Sequence, residues 1–280
     1  MPTDSIIYNI PAELIEGYRG RRIIVRAYDP AKLVSSLSGR GLENLHFVQI
    51  LTLAADATAL AAWGEGVPID LVMYEPEVEL ARLHNHAKLL NKHPVRVSIP
   101  VRRGLADAIK AAISLQFAVR LTVGQPRSDE IAQMLESLKI YLEKSAAAQP
   151  VEFYQSTMQA IFRHTDENLW AIQEEDPAKY RYVTSQGQEI ISPRFLEARP
   201  YPGKRLDSFV TDFHQSLIKE RRECSHCEFV DHCMGYFKWP NKDFICAGGV
   251  RELFSRLKNA AGDLTYDMEE YASMKGGMRS

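Results

Sequence analysis

Five successive units, each a short β-branched run followed by a helical pattern, lie between residues 22 and 147 and constrain the fold most strongly. The apolar runs are 22–28, 46–54, 69–76, 95–101 and 118–126. Successive strand-then-helix units favour a parallel sheet with right-handed crossovers. The runs are nearly continuous in Val, Ile and Leu, as expected when helices cover both faces of a sheet. The sequence therefore predicts an α/β fold, a complete or partial (β/α) barrel, with an open doubly wound sheet as the alternative.

Apolar residues recur at spacings of three and four in the helix after the fifth run, namely Ile131, Met134, Leu135, Leu138 and Leu142. This period is that of one face of an amphipathic helix. A sixth strand is expected to begin at Val151, ahead of a further helix. No Walker pattern or GxGxxG follows any predicted strand, so we do not expect a nucleotide loop.

The rhythm of the chain changes after residue 168. Two β-rich runs within 180–192 flank a Gln-Gly pair, which indicates a hairpin, and prolines and glycines then mark an irregular link. A helix over 206–220 and another after residue 246 enclose the last part of the chain. We therefore predict three parts: a partial barrel over 1–168, a hairpin and linker over 169–205, and a small domain over 206–280.

Charge and hydropathy exclude several classes of function. The chain has 34 Lys and Arg against 36 Asp and Glu, a net charge of -2, so it lacks the basic footprint of a nucleic-acid-binding protein. The most apolar window, 47–63, is interrupted by polar residues and is not a membrane span. The amino terminus lacks the layout of a secretory signal, so we expect a cytoplasmic protein.

All four cysteines of the 280-residue chain lie in one segment, with the spacing Cys224-x2-Cys227-x5-Cys233-x12-Cys246. A reducing cytosol disfavours disulfides and favours metal binding by clustered thiols. Four thiolates can saturate either a tetrahedral zinc ion or a [4Fe-4S] cluster. Zinc sites usually pair two short knuckles, so the unequal spacing here favours the iron–sulfur cluster, with zinc as the alternative. His226 and His232 each precede a cysteine and are expected to point away from the metal.

Two further groups of residues are candidates for function. The acidic run Glu174 to Asp176 could supply an acid and a base, but a solvated helix end before Pro177 is the favoured interpretation. The aromatic residues Tyr236, Phe237 and Trp239 follow the third cysteine and are expected to shield a cluster from water.

The cysteine segment, with "GYFKWP" between its third and fourth cysteines and a helix after the last, resembles the SPASM domain of radical SAM peptide-modifying enzymes. The fullest pattern of that family has seven cysteines and two auxiliary [4Fe-4S] clusters. Cys224, Cys227, Cys233 and Cys246 match the set that ligates the outer cluster. Phe237 stands where a further cysteine is expected. The resemblance therefore implies one auxiliary cluster.

The preceding (β/α) region is similar to a degenerate radical SAM core. The family's catalytic motif, Cys-x3-Cys-x2-Cys, is missing from the loop after the first predicted strand, "DPAKLVSSLSGRGLENL". The resemblance thus implies an accessory protein, similar to the SPASM-domain component of GeoRSP-type systems. It would relay electrons to a radical SAM partner or present a precursor peptide to it. The alternatives are a structural zinc-binding interaction module and an unrelated enzyme that uses the strand ends.

Overall fold

The computed structural model describes residues 6–64, 66–143, 149–163, 165, 167–197 and 206–277, with side chains as far as residue 263. Its centre is an eight-stranded sheet. The strands are β1 (Ile7–Pro11), β2 (Arg22–Ala27), β3 (Leu45–Ile50), β4 (Ile69–Val72), β5 (Val95–Pro100), β6 (Ala118–Thr122), β7 (Tyr180–Val183) and β8 (Glu189–Ile190).

The strands lie in the order β6-β5-β4-β3-β2-β1-β7-β8. Neighbours pair in parallel, except for the antiparallel pair β7 and β8. The predicted α/β class and the five predicted strands are confirmed. Strand β1 was not predicted: it is a short run closed by Pro11, outside the repeating strand-helix pattern. It pairs with both β2 and β7 and so joins the hairpin to the sheet.

Helices connect most of the strands. They are α1 (Pro30–Leu37), α2 (Thr58–Ala62), α3 (Pro76–Glu79), α4 (Leu105–Ser114), α5 (Ser128–Glu143), α6 (Glu152–Arg163), α7 (Leu169–Ile172), α8 (Arg194–Glu197), α9 (Phe209–Lys219), α10 (Val230–Cys233) and α11 (Val250–Gly277). Turns of 3-10 helix lie at Ala12–Tyr18, Leu80–Asn91, Glu223–His226, Tyr236–Lys238 and Cys246–Gly248. None of the helices in the described chain combines the length and hydropathy needed to cross a membrane.

The expected sixth strand is wrong. Val151 makes a single bridge to Val119, and α6 begins at the next residue. The apolar residues after Val151 follow helical spacing: Phe153, Tyr154, Thr157 and Met158 are all buried on one side of α6.

The two faces of the sheet differ, contrary to the expectation that both are apolar. Cross-strand pairing places Arg26 beside Gln49, Gln49 beside Asp70, and Ser98 beside Arg120. These polar residues share one face because side chains alternate along each strand. The opposite face carries Val25, Val48, Leu71, Val97 and Leu121, all fully buried. The helices therefore bury one face. The other, the polar face, carries this row of polar side chains and a small apolar cluster of Ile7, Ile24 and Phe47.

The hydrophobic core is continuous from the sheet to the cysteine segment. One cluster of buried residues includes Val97 in the sheet and Tyr236 and Phe254 near the cysteines. The predicted hairpin is confirmed, with Tyr182 opposite Ile190. The predicted division of the chain at 168 and 205 stays a prediction.

Candidate metal centre

The four cysteines line one cavity with a volume of about 30 Å³. Cys224 lies in the turn Glu223–His226 and Cys227 follows that turn directly. Cys233 ends α10, and Cys246 begins the turn before α11. All four are free thiols, of which Cys224 is buried and the others are half-buried. Two turns of 3-10 helix and the short helix α10 therefore bring together thiols that span 23 positions of sequence.

A left-handed turn after α10 orients the sulfur of Cys233. Met234 and Gly235 have φ of 48° and 75°, and the backbone N–H groups of Phe237 and Tyr236 donate to the Cys233 sulfur. A Cβ atom at position 235 would lie 2.4 Å from Leu217 Cδ1. Glycine at 235 is thus favoured both by the positive φ and by the close approach of Leu217. Such N–H donors to sulfur are one of the means by which proteins tune cluster potentials.

Three thiols of this site, those of Cys224, Cys233 and Cys246, have a pKa above the ordinary value because of burial. Burial raises the pKa of Cys233 to about 12, and the negative charges of Cys224 and Cys227 add to this effect. Burial, followed by the neighbouring Cys233, raises the pKa of Cys246 to about 12. Because metals bind thiolates, occupation of the cavity by a cation would release protons from these groups.

Glu223, beside the first cysteine, forms hydrogen bonds with the backbone at the last cysteine. Its carboxylate accepts from the backbone N–H groups of Cys246 at 3.0 Å and Ala247 at 2.9 Å. It also contacts Lys238 Nζ at 2.8 Å and an Arg251 guanidinium nitrogen at 3.1 Å. Lys238 is only 3% exposed. Burial opposes ionisation of Glu223, but these donors hold its pKa below the ordinary value.

The cavity wall is aromatic, but not through the residues expected from sequence. Phe229 and Phe254 line the cavity, and Tyr236, Phe237 and Trp239 do not. The tight turn after Cys233 directs these three side chains away from the thiols. The expectation that they shield a cluster is therefore replaced by a different role, the attachment of the cysteine segment to the sheet.

That attachment is specific. The Tyr236 hydroxyl donates to Val123 O at 2.6 Å, just beyond the carboxyl end of β6. The side-chain amide of Gln125 donates to Phe237 O at 2.9 Å and to Asn241 O at 2.7 Å. Trp239 stacks on Phe195 with ring centroids 4.6 Å apart. The cysteine segment thus packs against the carboxyl end of the last parallel strand.

The two histidines of the segment do not line the cysteine cavity. His226 is exposed and His232 is half-buried, in agreement with the expectation that they point away. Among the described residues, no group of three or more His, Cys, Asp or Glu side chains forms a site for a single metal ion.

The polar face of the sheet holds a second set of charged groups, which the sequence analysis missed. Arg96 contacts Glu174 at 2.7 Å, Glu152 at 3.3 Å and Asp70 at 3.4 Å, and Arg120 lies 3.5 Å from Glu174. The expected solvated helix end at Glu174 is therefore wrong, because its half-buried carboxylate is compensated by the Arg96 and Arg120 guanidinium groups.

Glu175 is buried, and it pairs with Arg194 at 2.9 Å. The sequence signal for these networks was the alternation of polar and apolar residues in the runs "VRVSIPVRR" (95–103) and "AVRLT" (118–122). Polar residues at every second position indicate a polar face on a strand.

Comparison with known proteins found no matching family model, no matching curated protein and no matching solved structure. The geometry of the site carries the functional argument.

Proposed function

We propose that Cys224, Cys227, Cys233 and Cys246 hold one [4Fe-4S] cluster and that the protein is an accessory iron–sulfur protein. The observation that carries this proposal is the convergence of all four thiols on one cavity. When bound, such a cluster transfers single electrons.

The donor set and its surroundings support this assignment. Four sulfurs are available, two backbone N–H groups donate to one of them, and Phe229 and Phe254 supply apolar walls. Thiolates on a single zinc would lie within about 4 Å of one another, since each zinc–sulfur bond is about 2.3 Å. A cluster spans a wider set of sulfurs, and no group of three or more His, Cys, Asp or Glu in the described part of the chain is arranged to hold one metal ion.

Charge at the site also suits a cluster with four thiolate ligands. Lys238 and Arg251 both line the cavity, and Glu223 is the acidic residue between them. Two cations against one carboxylate leave a positive excess, which partly opposes the effect of burial on the thiols and suits a negatively charged cluster. Lys238 is held in place by Glu223 and by the carbonyl oxygen of Phe244.

Complete ligation favours electron transfer over substrate coordination, because no iron would be left open. All four cysteines of the chain lie in this one segment, so the chain has no thiols for a second, catalytic cluster. We therefore propose that it relays electrons to, or presents a precursor peptide to, a partner radical SAM peptide-modifying enzyme.

The sequential order of β1 to β6 supports the description of the sheet as a partial barrel. We describe the cysteine segment as a SPASM-like unit beside it.

Metal analysis tests the cluster. Protein purified without oxygen is expected to be brown and to contain about four iron and four acid-labile sulfide per chain. Cys227→Ala is expected to lose most of the iron, whereas the matched variant His226→Ala, one residue away and exposed, should keep it. Zinc at one equivalent with no sulfide would overturn the assignment and establish the alternative of a structural zinc module.

The accessory role is tested with a radical SAM enzyme that carries Cys-x3-Cys-x2-Cys and is encoded beside this protein. Adding the reduced protein is expected to increase peptide modification by that enzyme several-fold, and the iron-free Cys233→Ala variant should not. Equal stimulation by the wild-type and the iron-free protein would point to peptide presentation alone. No stimulation by either would rule out the accessory role.

A further inference from the structure

We propose that the cavity on the polar face of the sheet binds a small organic carboxylate. The cavity has a volume of about 460 Å³ and is lined by residues from β1 to β7 and from the segment after β8. No cysteine lines it among the described residues. Volumes of this order are typical of small-molecule sites. The inference goes beyond the proposed iron–sulfur function and does not depend on it.

The floor of the cavity is internally satisfied. Asp70 accepts from Ser98 Oγ at 2.7 Å and from Gln49 Nε2 at 2.9 Å. Gln49 Oε1 in turn accepts from Asn9 at 3.4 Å, and Asn9 Oδ1 accepts from Arg26 at 2.9 Å. These side chains form a chain of hydrogen bonds across the five strands β1 to β5 and need no ligand.

The wall differs from the floor. Ser192 and Arg120 are 3% and 8% exposed, and both line the cavity. Within the described part of the chain, Ser192 Oγ and Arg120 Nε have no hydrogen-bond partner. A buried polar group without a partner costs about 1–3 kcal/mol, and such groups in native proteins usually have a partner of some kind. A ligand that accepts hydrogen bonds would supply it.

The guanidinium groups of Arg120 and Arg102 favour a negatively charged ligand. Arg120 donates to Gln173 O at 2.6 Å through one terminal nitrogen, which leaves Nε directed elsewhere. Arg102, at the exposed mouth, has one hydrogen bond, to Tyr74 O at 3.3 Å, among the described residues. Guanidinium and hydroxyl donors together fit a carboxylate.

The acidic and aromatic residues that line the cavity restrict the class of ligand further. Glu174 and Glu175 also line the cavity, and their negative charge disfavours polyanions such as phosphate esters. Tyr28 and Tyr74 are 65% and 45% exposed and stand at the mouth, where their rings offer apolar contact. The fitting ligand is thus a small molecule with one carboxylate and an apolar or weakly polar body.

Calorimetric titration of the full chain with acetate, succinate, L-phenylalanine and 3-phenylpropionate tests the proposal, each beside its carboxamide counterpart. At least one carboxylate is expected to bind, at least about tenfold more tightly than its amide, since a charged hydrogen bond is lost in the amide. Ser192→Ala is expected to weaken binding about fivefold to tenfold, and Ser225→Ala, outside the cavity, should leave it unchanged.

Three outcomes would overturn the proposal: no carboxylate binds in the millimolar range or tighter, carboxylate and amide bind equally, or Ser192→Ala binds as the wild type does. Circular dichroism of Ser192→Ala checks that the variant is folded. Arg120→Lys, which retains the charge beside Glu174, supplies a second variant and is expected to weaken carboxylate binding as well. Because no cysteine of the described chain lines this cavity, the result is separable from that of the iron analysis.

Discussion

Replacing Arg96 by methionine is expected to lower the free energy of unfolding by about 3–5 kcal/mol, the range for removal of one partner from a buried ion pair. The Arg96 guanidinium contacts three carboxylates, those of Asp70, Glu152 and Glu174. Asp70 is fully buried. Methionine fills most of the volume of the arginine stem but leaves these charges uncompensated. Urea unfolding followed by circular dichroism measures the loss.

The matched control is Arg103→Met. Arg103 pairs with Glu77 at 3.2 Å, but their side chains are 85% and 53% exposed. An exposed pair contributes about 0–1 kcal/mol, so this variant should be nearly as stable as the wild type. Equal effects of the two substitutions would show that the Arg96 network does not hold the charged face of the sheet together.

The pH dependence of Arg96→Met is a second readout of the same prediction. In the wild type, burial opposes ionisation of Glu174, but Arg120 and Arg96 hold its pKa below the ordinary value. Burial raises the pKa of Glu152 even though Arg96 opposes this. Without Arg96, both folded-state pKa values rise, and a carboxyl with a raised folded pKa loses stability as pH increases through it. The destabilisation should therefore be smaller near about pH 5 than at about pH 7.

Trp170→Ala is expected to destabilise the protein by about 3–5 kcal/mol, as large aromatic truncations in a core do. Trp170 is fully buried and packs edge-to-face on Tyr236 and Phe209, with centroids 4.9 and 5.3 Å away. Its indole N–H donates to Met234 O at 3.2 Å. The residue thus links α7 to α9 and to the turn that orients Cys233.

Two variants separate the contributions of Trp170. Trp170→Phe keeps an aromatic ring but loses the donor to Met234 O, and should cost less than the alanine variant. Trp63→Ala removes a half-buried tryptophan and should also cost less. The metal-free Trp170→Ala protein should further show faster alkylation of its cysteines, measured by mass spectrometry. Alkylation at the wild-type rate in a destabilised protein would contradict a role in holding the cysteine segment.

The predicted elements agree with the structure where the hydrophobic period of the local sequence is clear. The strands at 22–27 and 95–100 and helix α5 have a clear period, and the structure confirms them. Val151 was misassigned because an apolar run at a helix start looks like a strand until the helical spacing of its burial is known. Strand β1 is stabilised by pairing with distant β2 and β7, which no local pattern reports.

The candidate metal centre, too, could be predicted from the sequence only where it depends on residues close together in the chain. The spacing of the cysteines was sufficient to predict that they act together, because short gaps between thiols constrain any turn that joins them. The role of Glu223 was not predictable, since it depends on contacts with Lys238, Cys246 and Arg251. The aromatic residues were assigned the wrong neighbour because a left-handed turn at Met234 and Gly235 reverses their direction.

By itself, the sequence determined the α/β class, the strand-helix rhythm and the grouping of all four thiols, because these depend on residues close together in the chain. Only the tertiary structure decided that Glu174 is paired with Arg96 and Arg120, that Phe229 and Phe254 line the thiol cavity, and that a second cavity lies on the polar face. Burial and ion pairing arise from elements that meet across long sequence separations. A solvated helix end and a buried ion-pair network contain the same types of charged residue. Only the contacts in the folded protein distinguish the two.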